Sequence, residues 1–129
     1  MAVLIDTDLL VEHERTGWPV DVVGDEEWAI SVVTVSELLH GVFRARGGRR
    51  TRRRAFVEQL IAEAEAIPIT IPVARVHAEI GARLADSGKA IGLHELWIAA
   101  TALTYGFGVA TRNASDFGRV AGLRVLSPS

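Results

Sequence analysis

The chain has no cysteine and only one methionine, one tyrosine and one lysine, Lys89. The lack of cysteine rules out disulfides, thiolate zinc sites and cysteine nucleophiles, and is compatible with a reducing, cytoplasmic location. Long apolar runs are missing as well. None approaches the ~20 residues that span a bilayer, and the amino terminus has no basic stretch leading into an apolar one, so neither a membrane anchor nor a cleaved export signal is expected. Basic charge in the first third is scarce: residues 1–43 hold nine acids and one base, Arg15, whereas residues 44–54 hold seven arginines and no acid. The net charge of −2 conceals this polarity. A planar guanidinium fork matches phosphate oxygens, so the choice of arginine over lysine tilts the partner toward nucleic acid.

At 129 residues and 49% hydrophobic content the chain reads as a single domain, 1–129, able to bury a core without staples. Its first informative stretch is residues 2–10, AVLIDTDLL. Val3, Leu4 and Ile5 form an apolar run of the kind seen in buried parallel strands, and it ends on Asp6-Thr7-Asp8. In open α/β sheets ligands sit at the carboxyl ends of the strands, so Asp6 stands where chemistry is placed.

The same arrangement recurs along the chain. A short helix is predicted from about Leu9, ending at Gly17 and Trp18-Pro19. Asp25-Glu26-Glu27 reads as a loop or a helix start. Residues 28–33 are rich in strand formers and run into Thr34, an N-cap candidate, with Glu37 at capping-box spacing. The helix that follows should stop near Gly47-Gly48 and be answered by an antiparallel helix from Arg49 to about Ala66, placing the arginines on the hairpin tip. Residues 67–71 form an apolar edge segment, and Pro72 opens a helix running to about Ser87. His77 and Trp97 read as packing residues. A helix over 91–103 carries Glu95 in its first turn, residues 108–111 form a strand, 112–117 a polar loop with Asp116, and 123–126 a last strand.

Asp6, Glu37, Glu95 and Asp116 therefore each lie just past a strand or in the first turns of the next helix, and a doubly wound sheet brings such positions to one edge. Crowded carboxylates repel, and a hard divalent cation with oxygen ligands relieves the repulsion. Magnesium or manganese suits the set; zinc does not, given no cysteine and scattered histidines. Such a site can bridge phosphate oxygens and activate water for attack on a phosphodiester. Thr7, Thr111 and Asn113 are polar partners of the acids or of the substrate. Arg44, Arg46, Arg49, Arg50, Arg52 and Arg112 supply the grip on a polyanion such as RNA. Asp8 reads as the cap of the first helix.

Asp6 in LIDTDLL, Glu37 in TVSELLHG, the helix IGLHELWIAATAL and Asp116 in TRNASDF, taken in order, resemble a PIN-domain ribonuclease of the VapC toxin type, from Val3 to about Leu126. The resemblance implies a three-layer α/β/α fold around a parallel sheet of about five strands. It also implies magnesium- or manganese-dependent cleavage of RNA at the four carboxylates, a homodimer, and inhibition by a VapB-type antitoxin in a toxin–antitoxin hetero-oligomer. One position departs from the pattern: the family usually carries aspartate where this chain has Glu95. The Asp-x-Asp after a strand also suits haloacid dehalogenase-type phosphotransferases, but no lysine follows a late strand here. A non-catalytic RNA- or partner-binding module on the same fold is the alternative reading.

Overall fold

A computed structural model describes residues 2–16 and 20–128. The first strand, β1 (Ala2–Ile5), is followed by α1 (Thr7–Thr16) and α2 (Val20–Val23), then β2 (Glu27–Ser31) and α3 (Val32–Arg44). Next come α4 (Gly47–Glu63), β3 (Ala66–Ile67) and α5 (Ile71–Asp86). The chain closes with α6 (Leu93–Tyr105), β4 (Gly108–Ala110), α7 (Ala114–Phe117) and β5 (Val125–Leu126). The strands form one five-stranded sheet in the order β3-β2-β1-β4-β5, with every neighbouring pair parallel. β1 is central, and the chain leaves it to one side for β2 and returns on the other for β4. That reversal makes the carboxyl end of β1 the switch point of the sheet, where a crevice opens between diverging connections.

The alternation of β1 explains the layers. Leu4 points to a core built with Val73, Ile80 and Leu84 of α5 and Ile98 and Ala99 of α6. Val3 and Ile5 point the other way, to Leu9 and Leu10 of α1, Leu38 and Val42 of α3, and Val57 and Leu60 of α4. Both faces of the strand are therefore dry, which accounts for its unbroken apolar run. The three-layer α/β/α arrangement anticipated from the sequence is the one observed. Among the described residues no helix is long and apolar enough to cross a membrane.

Several local expectations are corrected. α3 starts two residues before Thr34: the cap is Ser31, whose hydroxyl accepts from the Val33 amide at 3.0 Å. Gly47 and Gly48 begin α4 instead of ending α3, which stops at Arg44. Gly47 has φ +58°, a left-handed turn that glycine adopts without strain, so it marks the boundary from the other side. Arg49, Arg50, Arg52, Arg53 and Arg54 consequently ride on the first turns of α4, while Arg44 ends α3 and Arg46 lies at the junction. Glu27 opens β2, and the edge strand β3 is two residues long. Pro72 stands in the first turn of α5 as expected, but Thr70 and Ile71, read as part of the apolar edge segment 67–71, instead cap and open that helix. His77 stacks on Trp97 with ring centroids 3.5 Å apart, a packing role for both. Gly17, Trp18 and Pro19, read as the end of the first helix, lie outside the described residues.

Candidate active site

Asp6 follows β1 directly, and its amide still bonds to the Ala110 carbonyl at 2.9 Å, as if the strand continued. Its side chain is buried. One oxygen, Oδ1, accepts from the Thr7 amide at 2.8 Å, and Oδ2 accepts from the Thr111 hydroxyl at 2.8 Å. Burial, and then the charge of Asp8, push its carboxyl up to about 7, with Glu37 adding to the effect and the two hydrogen bonds opposing it. Such a group exchanges its proton near neutrality.

Asp8 sits in the first turn of α1, but it does not serve chiefly as the cap the sequence suggested. Its two oxygens each accept from the Arg112 amide at 3.2 Å, and Oδ2 lies 3.4 Å from the Thr111 hydroxyl. The carboxylate thus fastens the loop after β4 to the start of α1. Burial raises its proton affinity, and the Arg112 amide works against that rise. Sequence reasoning gave Asp8 too small a part, because its partners lie more than 100 residues away in the chain.

Glu37 enters from the second turn of α3. With Ser31 as the cap, the Thr34/Glu37 capping box does not form, and Thr34 is buried against the site instead. Glu37 Oε1 accepts from the Thr7 hydroxyl at 2.7 Å, and Thr7 Oγ1 is 3.2 Å from Thr34 Oγ1. The other oxygen, Oε2, lies 3.0 Å from Nδ1 of His94. Neither this histidine nor its contact was singled out from the sequence; the available signal was its place beside Glu95.

Glu95 occupies the third position of α6, where its Oε2 accepts from the Gly92 amide at 3.1 Å. Only this half of a capping box exists, since glycine has no side chain to return the bond. A methyl group on Gly92 would fall on the Glu95 carboxylate. The longer acid therefore folds back over a position that has no Cβ. Burial first, then a hydrogen bond shared with Asp116, then the charges of Asp116 and Glu37, raise its proton affinity. Asp116 lies in α7, taking Asn113 Nδ2 on Oδ2 at 3.2 Å and Arg119 Nη1 at 3.7 Å from Oδ1.

The four predicted acids thus share one electrostatic neighbourhood, with Glu37 felt by both Asp6 and Glu95. Asp6 is held beside a fifth acid, Asp8, across Thr111, Glu95 lies beside Asp116, and Glu37 is held by Thr7 and His94. Among the described residues no three of them converge closely enough to enclose an ion. Thr7 and Thr111 each bind two of these side chains, and Asn113 holds Asp116 while its amide donates to Thr111 Oγ1 at 2.9 Å.

The predicted arginines are not part of this cluster. Arg44 and Arg46 are exposed at the junction of α3 and α4, and Arg49, Arg50 and Arg52 are exposed on α4. Arg50 is committed locally, with Nε donating to the Ala45 carbonyl at 2.8 Å and Nη2 to that of Phe43 at 2.7 Å. Arg112 pairs with Glu12 at 3.1 Å.

The PIN domain family model matches residues 3–123. Ribonuclease VapC1 of Rickettsia felis is 33% identical over 136 residues, covering 100% of this chain and 98% of the relative. Ribonuclease VapC4 of Mycobacterium tuberculosis is 30% identical over 124 residues, covering 96% and 95%. Among solved structures, VapBC-5 from Mycobacterium tuberculosis, a member of the VapBC family of toxin–antitoxin systems, superposes with a TM-score of 0.81 at 30% identity, covering 98% and 96%. VapBC2 from Rickettsia felis superposes with a TM-score of 0.88 at 19% identity over the whole of both chains, a likeness of fold.

Proposed function

The chain belongs to the PIN-domain family, of VapC ribonuclease type, and from that premise we propose that it is the RNA-cleaving toxin of a type II toxin–antitoxin pair. The observation that carries the reading is Asp6: a buried carboxyl, pushed up to about 7, at the switch point of a parallel sheet and flanked by further acids. Among the described residues no ion pair reaches it, so its charge is left uncompensated by the protein itself.

That deficit tests the cation implied by the family. The donors are carboxylate oxygens, the chemistry of magnesium and manganese sites, and the raised proton affinity of Glu95, to which the charges of Asp116 and Glu37 contribute, marks an excess of negative charge that a divalent ion would relieve. Asp6, Glu37, Glu95 and Asp116 are the residues that would hold Mg²⁺ or Mn²⁺. When bound, such an ion supplies charge stabilisation to a phosphate and acidifies water for attack. The protein's own part is to orient. Thr7 and Thr111 fix the oxygens of Asp6 and Glu37, Asn113 fixes Asp116, and Asp6 can take up or release a proton close to neutral pH. Arg44, Arg46, Arg49 and Arg52 bind the RNA backbone or the antitoxin away from the reacting phosphate, a contribution that weakens with salt.

The partners follow from the same reading: a VapB-type antitoxin in a hetero-oligomer, a second copy of the chain in a homodimer, and a cytoplasmic RNA as substrate. The test is RNA cleavage by the purified chain, free of antitoxin, with Mg²⁺ or Mn²⁺. Cleavage that a chelator and Asp6→Asn both abolish is expected. RNA binding without metal and without cleavage over a broad panel of RNAs would overturn it in favour of a non-catalytic RNA-holding module.

A further inference from the structure

Glu37 reaches the cluster on a flexible side chain from the second turn of α3, and a carboxylate on such an arm contributes reproducibly only when its oxygens are fixed. Thr7 fixes one of them, at 2.7 Å from Oε1. The other is met by His94 Nδ1, at 3.0 Å from Oε2. His94 stands in the first turn of α6, next to Glu95, so this contact ties the helix that carries Glu37 to the helix that carries Glu95. A carboxylate only accepts, which puts the hydrogen of the imidazole on Nδ1. Packing does not explain the residue: its side chain is 58% exposed, whereas His77, on α5, lies flat against Trp97.

We infer that His94 is a positioning residue of the cleavage reaction, holding Oε2 of Glu37 while Thr7 holds Oε1, so that this carboxylate meets its cation or substrate in one orientation. The chain Thr34, Thr7, Glu37, His94 runs from the buried side of α3 across the start of α1 to the rim of α6, and its last link is the one exposed to solvent. The inference rests on reading the cluster as a nuclease site, but the contact itself is testable without activity.

Three variants separate orientation from simple loss of a side chain. His94→Asn keeps a donor one bond beyond Cγ, where Nδ1 stands; His94→Gln moves the donor a bond further; His94→Ala removes it. With Mn²⁺ and a short RNA, His94→Ala is expected to lower kcat by about 10–100-fold with KM unchanged, and to weaken Mn²⁺ binding in calorimetry. His94→Asn should recover most of both, and His94→Gln should not. In the metal-free protein at alkaline pH, long-range proton–nitrogen NMR should find the His94 hydrogen on Nδ1, and Glu37→Ala should abolish that preference. A wild-type kcat in His94→Ala, an Asn variant no better than the Ala variant, or a hydrogen resident on Nε2 would each overturn the inference. If the wild-type chain cleaves no RNA, the nuclease reading falls, while the NMR measurement still decides whether His94 holds Glu37.

Discussion

The hydroxyl of Thr111 lies 2.8 Å from Asp6 Oδ2 and 3.4 Å from Asp8 Oδ2, so one buried side chain holds two carboxylates from the opposite end of the sequence. It also accepts the Asn113 amide at 2.9 Å, joining the loop after β4 to the same point. Thr111→Val keeps the shape and removes these bonds. The variant is expected to lose about 1–3 kcal/mol of stability, the cost of leaving buried partners unmet, and to raise the Asp6 carboxyl further. Denaturant unfolding and a carboxyl NMR titration check the two effects separately.

Asp6→Asn should stabilise the metal-free chain at neutral pH. The unfolded carboxyl titrates near pH ~3.9, whereas the folded one is pushed up to about 7 by burial and the charge of Asp8. Between those values the native chain retains a proton that the unfolded chain has released. Stability therefore falls as pH rises through that window, by up to roughly 4 kcal/mol from this group alone. Urea midpoints measured from about pH 4 to above pH 7 should converge at the acid end and diverge in favour of the variant at the other. Added Mn²⁺ should stabilise the wild type and not the variant.

Metal affinity should itself depend on pH. Asp6 and Glu95 both hold their protons more tightly than ordinary carboxyls, and those protons must leave before the oxygens serve a cation, so Mn²⁺ binding is expected to strengthen as pH rises toward and past about 7, where Asp6 titrates, and to release protons. Calorimetry in buffers of different ionisation enthalpy counts them. Binding without proton release would contradict the assignment.

Glu95→Asp is expected to retain activity, because it restores the acid usual in the family, whereas Glu95→Ala should lose at least about 100-fold in kcat, ~2.7 kcal/mol of barrier. Gly92→Ala offers a subtler probe. The added methyl expels the Glu95 carboxylate from its place over the Gly92 amide, so that variant should perturb the Glu95 chain more than a chain already carrying Glu95→Asp. Equal effects in both backgrounds would show that the fold-back over Gly92 is irrelevant.

The arginines on α4 should divide into two kinds. Arg49→Ala with Arg52→Ala is expected to weaken RNA binding and flatten the salt dependence by ~0.7 in slope for each phosphate no longer neutralised. Arg50→Ala should instead destabilise the α3–α4 junction, because its donors are spent on the Ala45 and Phe43 carbonyls. Salt-dependent binding curves and thermal melts distinguish the two.

The parts of this molecule legible in the sequence are those whose cause is local. An apolar run ending on Asp6 marks a buried parallel strand and the carboxyl end where that acid sits, and the helix after Pro72 carries its own start signal. Asp116, read as part of a polar loop after the late strand, lies instead in the short helix α7. Glu37 follows β2 on a helix as its strand-then-helix setting predicts, though the local reason, a capping box with Thr34, is not the one realised. Ser31 takes the cap, and Thr7, thirty residues away, takes the carboxylate. Asp8 and His94 are undervalued by sequence for the same reason, since their partners Arg112 and Glu37 come from other elements. Gly47-Gly48 marks a real boundary but not its direction, because a left-handed glycine suits the entry to α4 as well as the exit from α3.

The order of the sheet also sets a schedule for synthesis. A chain emerging amino terminus first presents Asp6, Glu37 and the arginine helix early, with β1 and β2 able to pair. Thr111 takes its place only after β4 docks on the open side of β1, and its own amide bonds to Leu126, in the last strand to appear. A partly synthesised chain can thus carry the arginine-rich face of α4 while lacking Asp116 and the hydroxyl that seats Asp6. The seat of Asp6 therefore waits on the last third of this sequence, whereas the arginine helix α4 is complete well before it.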